Sequence, residues 1–219
     1  MNKSIFAIVI AASLMAGCTT DPFTGEQKIA NTAVGAGAGA GIGAIGGALI
    51  GAAVGADVRK AALIGGGVGL LTGTGIGLYM DNQEAKLRNQ LRGTGISVTR
   101  VGDSIVLNMP SNVTFDSDQS DVKPQFFGTL NSVTAVFREY KQTLINVVGH
   151  TDSSGDANHN FDLSRRRAAS VAQYLSAQQL DPRRFSVEGH GANDPIASNA
   201  SPSGRAQNRR VEITILPLT

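Results

Sequence analysis

The chain has 219 residues and a formal net charge of +2, which allows one ordinary domain with additions or two small ones and excludes a nucleic-acid binder held by dense basic charge. A single cysteine, Cys18, excludes an internal disulfide, and most of the 27 glycines fall before residue 95. Averages over such a chain describe neither half of it.

The first segment places Lys3 before the run "SIFAIVIAASLMAG", a basic start followed by an apolar stretch and small residues. That pattern predicts a secretory signal peptide over 1–17. The run is too short for a permanent membrane helix, which takes roughly 20 residues. The stretch "LMAGC" resembles the lipobox of bacterial lipoproteins, with Met15 where leucine is usual. The resemblance implies that Cys18 is the mature N-terminus, acylated with palmitate and in contact with membrane lipid. Thr19 after it implies sorting to the outer membrane, with the C-terminal domain in the periplasm. A polar Pro/Gly tether over 18–32 follows.

Residues 33–80 carry a four-residue glycine repeat. Gly35, Gly39, Gly43, Gly47, Gly51 and Gly55 form one arm, and Gly65, Gly69, Gly73 and Gly77 form the second. Neither arm contains a charged residue, and "DVRK" at Asp57–Lys60 lies between them, so a helical hairpin is expected. In water each glycine costs a helix about 1 kcal/mol relative to alanine. In lipid the backbone must satisfy itself, and a small-residue stripe lets two helices approach closely. The segment resembles the glycine-zipper modules of envelope proteins. Its arms could span a membrane, lie in one leaflet or pack into a homo-oligomer. They contain no acid, which excludes the carboxylate that a proton-carrying stator helix needs. "DNQEAKLRNQLR" then predicts a charged linker helix over 81–95, supported by Glu84 and Arg88 at i,i+4. Gly93–Gly95 breaks it, and a separate domain is expected over 96–219.

In that domain "ISVTRVGDSIVLNM" predicts a hairpin turning at Gly102–Asp103. A helix follows Pro124, with Phe126, Leu130, Val133 and Phe137 on one face. "TLINVVGH" predicts a strand, "ANHNFDLSRRRAASVAQYLSAQQ" a helix with Ala168, Val171, Ala172 and Leu175 inward, and "RFSVEGHG" and "RRVEITIL" two strands. The expected class is α+β, a mixed sheet with helices on one face.

Asp152 falls just past the C-terminal end of the "TLINVVGH" strand, where loops of such folds commonly build sites. Asn160 and Arg167 share a face of the next helix, about 10 Å apart along its axis. Free N–H groups before that helix are expected to point the same way. Arginine grips a carboxylate with two parallel bonds, and aspartate accepts from an ammonium. A ligand with both groups on one carbon, a free amino-acid centre, suits the pair.

The stretches "NVTFDSDQSDVKP", "VVGHTDSSGDANHNFDLSRRRAASV" and "GRAQNRRVEI" resemble the OmpA-like peptidoglycan-binding domain, in order and spacing, over roughly residues 100 to 218. With the lipobox and the zipper, the chain is similar to the YiaD-like class of OmpA-family lipoproteins. The resemblance implies non-covalent binding of diaminopimelate in the peptide stem of peptidoglycan. It implies that Asp152 meets the ligand's ammonium and Arg167 its carboxylate, with Asn160 and Asp116 in the same pocket. Asn208 and either Arg209 or Arg210 match the element beside it. His150, His159 and His190 lack metal-ligand spacing, so no metal or cofactor is expected. Asp116, Asp152 and Asp156 lack the paired-acid spacing of a hydrolase, so no enzyme is expected. The competing function is an envelope scaffold whose C-terminal domain binds protein partners.

Overall fold

The computed structural model describes residues 18–20, 27–29 and 56–219. The signal peptide and the arm Gly35–Gly55 lie outside the described residues. Strand β1 (Cys18–Thr20) pairs antiparallel with β2 (Gln27–Ile29), Cys18 opposite Ile29. Helices α1 (Ala56–Gly65) and α2 (Gly75–Gln90) follow. Then come β3 (Ser97–Val101), β4 (Ser104–Pro110), the one-turn α3 (Ser111–Thr114), α4 (Phe127–Glu139) and β5 (Thr143–His150). The chain ends with α5 (Ala157–Ala177), β6 (Phe185–Gly191), α6 (Pro202–Asn208) and β7 (Arg210–Pro217).

Five strands form one sheet in the order β3-β4-β7-β5-β6. β5 and β6 run parallel, joined through α5, and the other neighbours are antiparallel. The β3–β4 hairpin turns at Gly102, whose φ of 57° lies in the left-handed region that glycine enters without steric cost. Both predicted helical stripes are buried. Leu130, Val133 and Phe137 of α4 and Ala168, Val171 and Leu175 of α5 meet Ile145, Val147, Val211 and Ile213 from one face of the sheet.

Two glycines set how closely α5 approaches. A Cβ at Gly149 would sit 1.9 Å from the Ser164 carbonyl oxygen, and one at Gly189 would sit 2.6 Å from the Arg165 nitrogen. Bare backbone at the ends of β5 and β6 therefore lets the first half of α5 rest on the sheet, which fixes the height of Asn160 and Arg167. Asp156 caps this helix, its carboxylate accepting from the His159 N–H at 2.9 Å.

Three expectations for residues 57–95 are corrected. First, Asp57–Lys60 is not a turn between arms but part of α1. Second, the arm carrying Gly65, Gly69, Gly73 and Gly77 is not one helix. α1 ends at Gly65, Gly67 and Gly73 take φ of 87° and 56°, and helix resumes at Gly75. Clustered glycines make continued helix costly, and tertiary bonds hold the loop instead: Leu71 N–H donates to the Leu218 carbonyl at 2.8 Å and Gln142 Nε2 to the Gly69 carbonyl at 2.8 Å. No helix among the described residues is long and apolar enough to cross a membrane.

Third, the packing boundary does not fall at residue 95. Met80, Leu87 and Leu91 are buried in the same core as the sheet. The Tyr79 hydroxyl accepts from the Gln142 N–H at 3.0 Å, and its ring meets Tyr140 edge-on at 5.1 Å. α1 adds a contact on the sheet's second face, where Leu63 packs with Leu144 and Leu218. There Arg59 donates twice to Asn146 Oδ1, each bond 3.2 Å. The helices that form the main core do lie on one face, and α1 covers part of the other.

The docking of α2 has a pH signature. Burial pushes the Tyr79 phenol above its ordinary value, and the bond from Gln142 only partly offsets this. The fold thus favours neutral Tyr79. Its contribution is complete below the unfolded value of about 10 and is lost as pH rises through the raised folded value. Denaturation midpoints should fall above about pH 10 and fall less steeply in Tyr79→Phe. An identical alkaline slope in the variant would remove Tyr79 from this account.

Candidate functional site

A groove of about 590 Å³ opens where three segments meet: the chain after β4, the loop between β5 and α5, and Arg209 at the end of α6. The first segment is shaped by a bridge between Phe115 and Val122 and by a bond from Lys123 N–H to the Thr114 carbonyl at 2.9 Å. Between them the chain bulges outward, with Asp118 at a φ of 56°.

Arg167 reaches the groove floor from α5 and is 4% exposed. Its Nε donates to the Gln119 carbonyl at 2.8 Å and one Nη to the Asp116 carbonyl at 3.3 Å. The guanidinium lies 5.1 Å from the centre of the Phe115 ring. All these partners are uncharged, and among the described residues Arg167 makes no ion pair. Burial lowers its pKa, with Asp118 opposing from a distance and Arg209 and Arg166 adding to the lowering. A cation this buried ordinarily has an anion against it.

Asp152 stands across the groove and is 8% exposed. One carboxylate oxygen accepts from the Ser154 N–H at 2.8 Å and the other from Arg209 Nη1 at 2.5 Å. Burial tends to raise its pKa, but the bonds from Arg209 and Ser154 outweigh that and hold it below the usual value. Arg209 is the more exposed partner, with 39% of its side chain accessible. Asn160 holds the loop itself: its Nδ2 donates to the Ser154 carbonyl at 2.8 Å and the Asp152 carbonyl at 3.4 Å. The loop's N–H groups are largely spent within the fold. Ser154 N–H bonds Asp152, Thr151 N–H the Gly191 carbonyl, and Ser153 N–H the Asn199 side chain. Three of the donors expected to be free at Thr151–Ser154 are therefore taken, one within the turn and two by β6 and the loop after it.

Asp116 is at the rim, its side chain 76% exposed and paired with Lys123 at 3.2 Å. Its carbonyl, rather than its carboxylate, touches Arg167. The choice between the two C-terminal arginines is settled by geometry. Arg209 lines the groove, whereas Arg210 is 2% exposed and bonded to Glu212 and to the Asn208 and Asp194 carbonyls. Asn208 is a correction as well. It is fully buried, accepts from the Ile196 and Ala197 N–H groups, and donates to the Ala197 carbonyl and the Asn199 side chain. Its amide braces the 196–199 loop and is absent from the groove lining.

Sequence reasoning missed Phe115 beneath Arg167 and the rim pair of His159 and Asp118, 2.7 Å apart. Phe115 lies within "NVTFDSD", but nothing local says it will meet an arginine more than fifty residues away.

Residues 114–209 match the OmpA family, and residues 1–81 match the YMGG-like Gly-zipper. Over 221 residues the chain is 51% identical to probable lipoprotein YiaD of Escherichia coli (strain K12), covering 100% of both. The chain belongs to the OmpA family. The OmpA match runs from the residue before Phe115 to Arg209, so it includes every groove-lining residue except Ser111 and Asn112. Peptidoglycan-binding protein ArfA of Mycobacterium bovis is 37% identical over 103 residues, 47% of this chain and 32% of that protein. The cell wall anchor of the T6SS from Pseudomonas aeruginosa superposes with a TM-score of 0.56 at 33% identity, covering 60% of this chain and 96% of that one. The OmpA-family fold of this chain is thus an α+β mixed sheet, and the protein is associated with the cell envelope.

Proposed function

We propose that this OmpA-family protein tethers the membrane to the cell wall by holding peptidoglycan non-covalently in the groove between Asp152 and Arg167. The observation that carries the reading is Arg167: a guanidinium 4% exposed, without an ion pair among the described residues, at the floor of an open groove. A ligand carboxylate would supply the missing anion, and the same ligand's ammonium would share Asp152 with Arg209 or displace it. The free amino-acid centre of diaminopimelate presents both charges on one carbon. Asn160 holds the Asp152 loop in place, and the Asp116 segment closes the rim. The chemistry is binding alone, and no bond of the ligand is broken. The similarity of this chain to the peptidoglycan-binding protein ArfA and to the cell wall anchor of the T6SS supports the same reading.

The membrane end is proposed to be the acyl chains on Cys18, in the outer membrane, with residues 56–219 in the periplasm. Close packing of the glycine arm Gly35–Gly55 between copies would add a homo-oligomer.

Purified full-length protein should co-sediment with peptidoglycan, and free diaminopimelate should release it. Absence of sedimentation by folded protein would turn the assignment towards a protein-binding scaffold. Metabolic labelling with palmitate tests the other end: wild-type chain should carry label and Cys18→Ser none. Label retained in Cys18→Ser would place the anchor elsewhere.

A further inference from the structure

On the sheet face opposite α4 and α5, the ends of β5 and β6 bring two histidines together. His150 is 3% exposed, and neither of its ring nitrogens has a hydrogen-bond partner among the described residues. A buried imidazole normally uses at least one nitrogen. His190 meets it edge-on, with ring centres 5.4 Å apart. His190 Nδ1 lies 2.5 Å from an Asp194 oxygen, and Nε2 lies 3.3 Å from Glu188. His150, His190 and Asp194 each offer a ligand atom, and these atoms lie within 4.8 Å of one another.

We infer that His150, His190 and Asp194 bind a divalent transition metal of the zinc type. Two imidazoles and a carboxylate are a ligand set suited to zinc, with a fourth position for water. Tetrahedral ligand atoms at metal distances of about 2.0–2.1 Å stand roughly 3.3 Å apart, so His190 Nδ1 and Asp194, now 2.5 Å apart, must separate while the pair shifts towards His150. His190 and Asp194 can make that shift, since their side chains are 36% and 57% exposed. A cation between His190 Nδ1 and Asp194 leaves Nε2 to donate to Glu188, the carboxylate–histidine–metal arrangement that orients a ligating ring. Among the described residues two cations lie on this face: Arg59, which interacts with Glu188, and Arg210, the strand partner of His150. Its Nε is paired with Glu212 at 2.6 Å and its Nη2 bonds the Asp194 carbonyl at 3.1 Å, so its charge is already met and it supports the ligand loop. With Glu212 taken up by Arg210, Glu188 and Asp194 are the carboxylates left to face a dication, and Arg59 offsets part of Glu188.

The test uses the full lipidated chain in detergent, titrated with Co²⁺ alone and then with Zn²⁺ in competition. One equivalent of Co²⁺ should give the visible bands of a four-coordinate site, and Zn²⁺ should displace them. His150 is in the packed end of β5, so the surface ligands carry the mutational arm. His190→Gln and Asp194→Asn should each weaken binding by about tenfold or more, with unchanged near-ultraviolet circular dichroism. No uptake at micromolar metal overturns the inference. So does uptake that survives both variants, or uptake lost instead in His159→Gln, which would place the metal at the His159–Asp118 pair.

Discussion

Asp152→Asn should lose retention on purified peptidoglycan while the fold stays intact. The substitution keeps the shape and an acceptor for the Ser154 N–H, but removes the charge that faces Arg209 and the proposed ammonium. Truncating one partner of a desolvated charge pair costs about 2–5 kcal/mol. That is roughly a 30-fold to several-thousand-fold loss of affinity. Arg167→Ala should lose as much, but it is the less clean test. Arg167 also ties down the Gln119 and Asp116 carbonyls and lies against Phe115, so its removal frees the rim segment as well. Arg167→Lys separates the two roles. It retains a cation but not the planar fork that can hold two carbonyls and a carboxylate together, and it should bind far more weakly than wild type. Wild-type sedimentation of both Asp152→Asn and Arg167→Lys would sink the pocket assignment.

A fragment beginning at Gly95 should be severely destabilised, whereas one beginning at Ala56 should unfold cooperatively at the full-length midpoint. Cutting at Gly95 removes Leu63, Met80, Leu87 and Leu91, all buried, and exposes the surfaces they cover. At about 1.5–3 kcal/mol for each buried side chain, the loss is of the order of the whole stability of a domain. It also strips the hydroxyl that satisfies the Gln142 N–H. Urea midpoints of the two fragments settle the matter. Equal midpoints would mean that α1 and α2 pack against the domain without stabilising it. A binding assay built on the shorter fragment would therefore confuse unfolding with loss of the site.

What was legible in the sequence was local. The stripes Leu130–Val133–Phe137 and Ala168–Val171–Leu175 repeat at the helical period because one face must leave water. Gly102 marked a hairpin because the turn needs a residue that tolerates positive φ. Asp152, Asn160 and Arg167 could be grouped because a strand end, a short loop and two helical turns separate them, and those distances follow from backbone geometry.

What the sequence left open depends on contacts between distant segments. α2 looked like a charged linker, since its own pattern is weak. It joins the core because the sheet edge and α4 leave room for Met80 and Leu87. The glycine repeat suggested one helix, but bonds from Gln142 and to Leu218 hold Gly66–Thr74 as a loop. Arg209 and Arg210 are adjacent and chemically identical. Only the register of β7 against β4 and β5 sends Arg210 to the buried side opposite His150 and leaves Arg209 to reach Asp152. His150 and His190 are forty residues apart in sequence, and the parallel pairing of β5 with β6 sets them edge to edge. A strand alternates faces at every residue, so a slip of one position would exchange the two arginines and separate the histidines. That register is fixed by the packing of the whole sheet against α4 and α5.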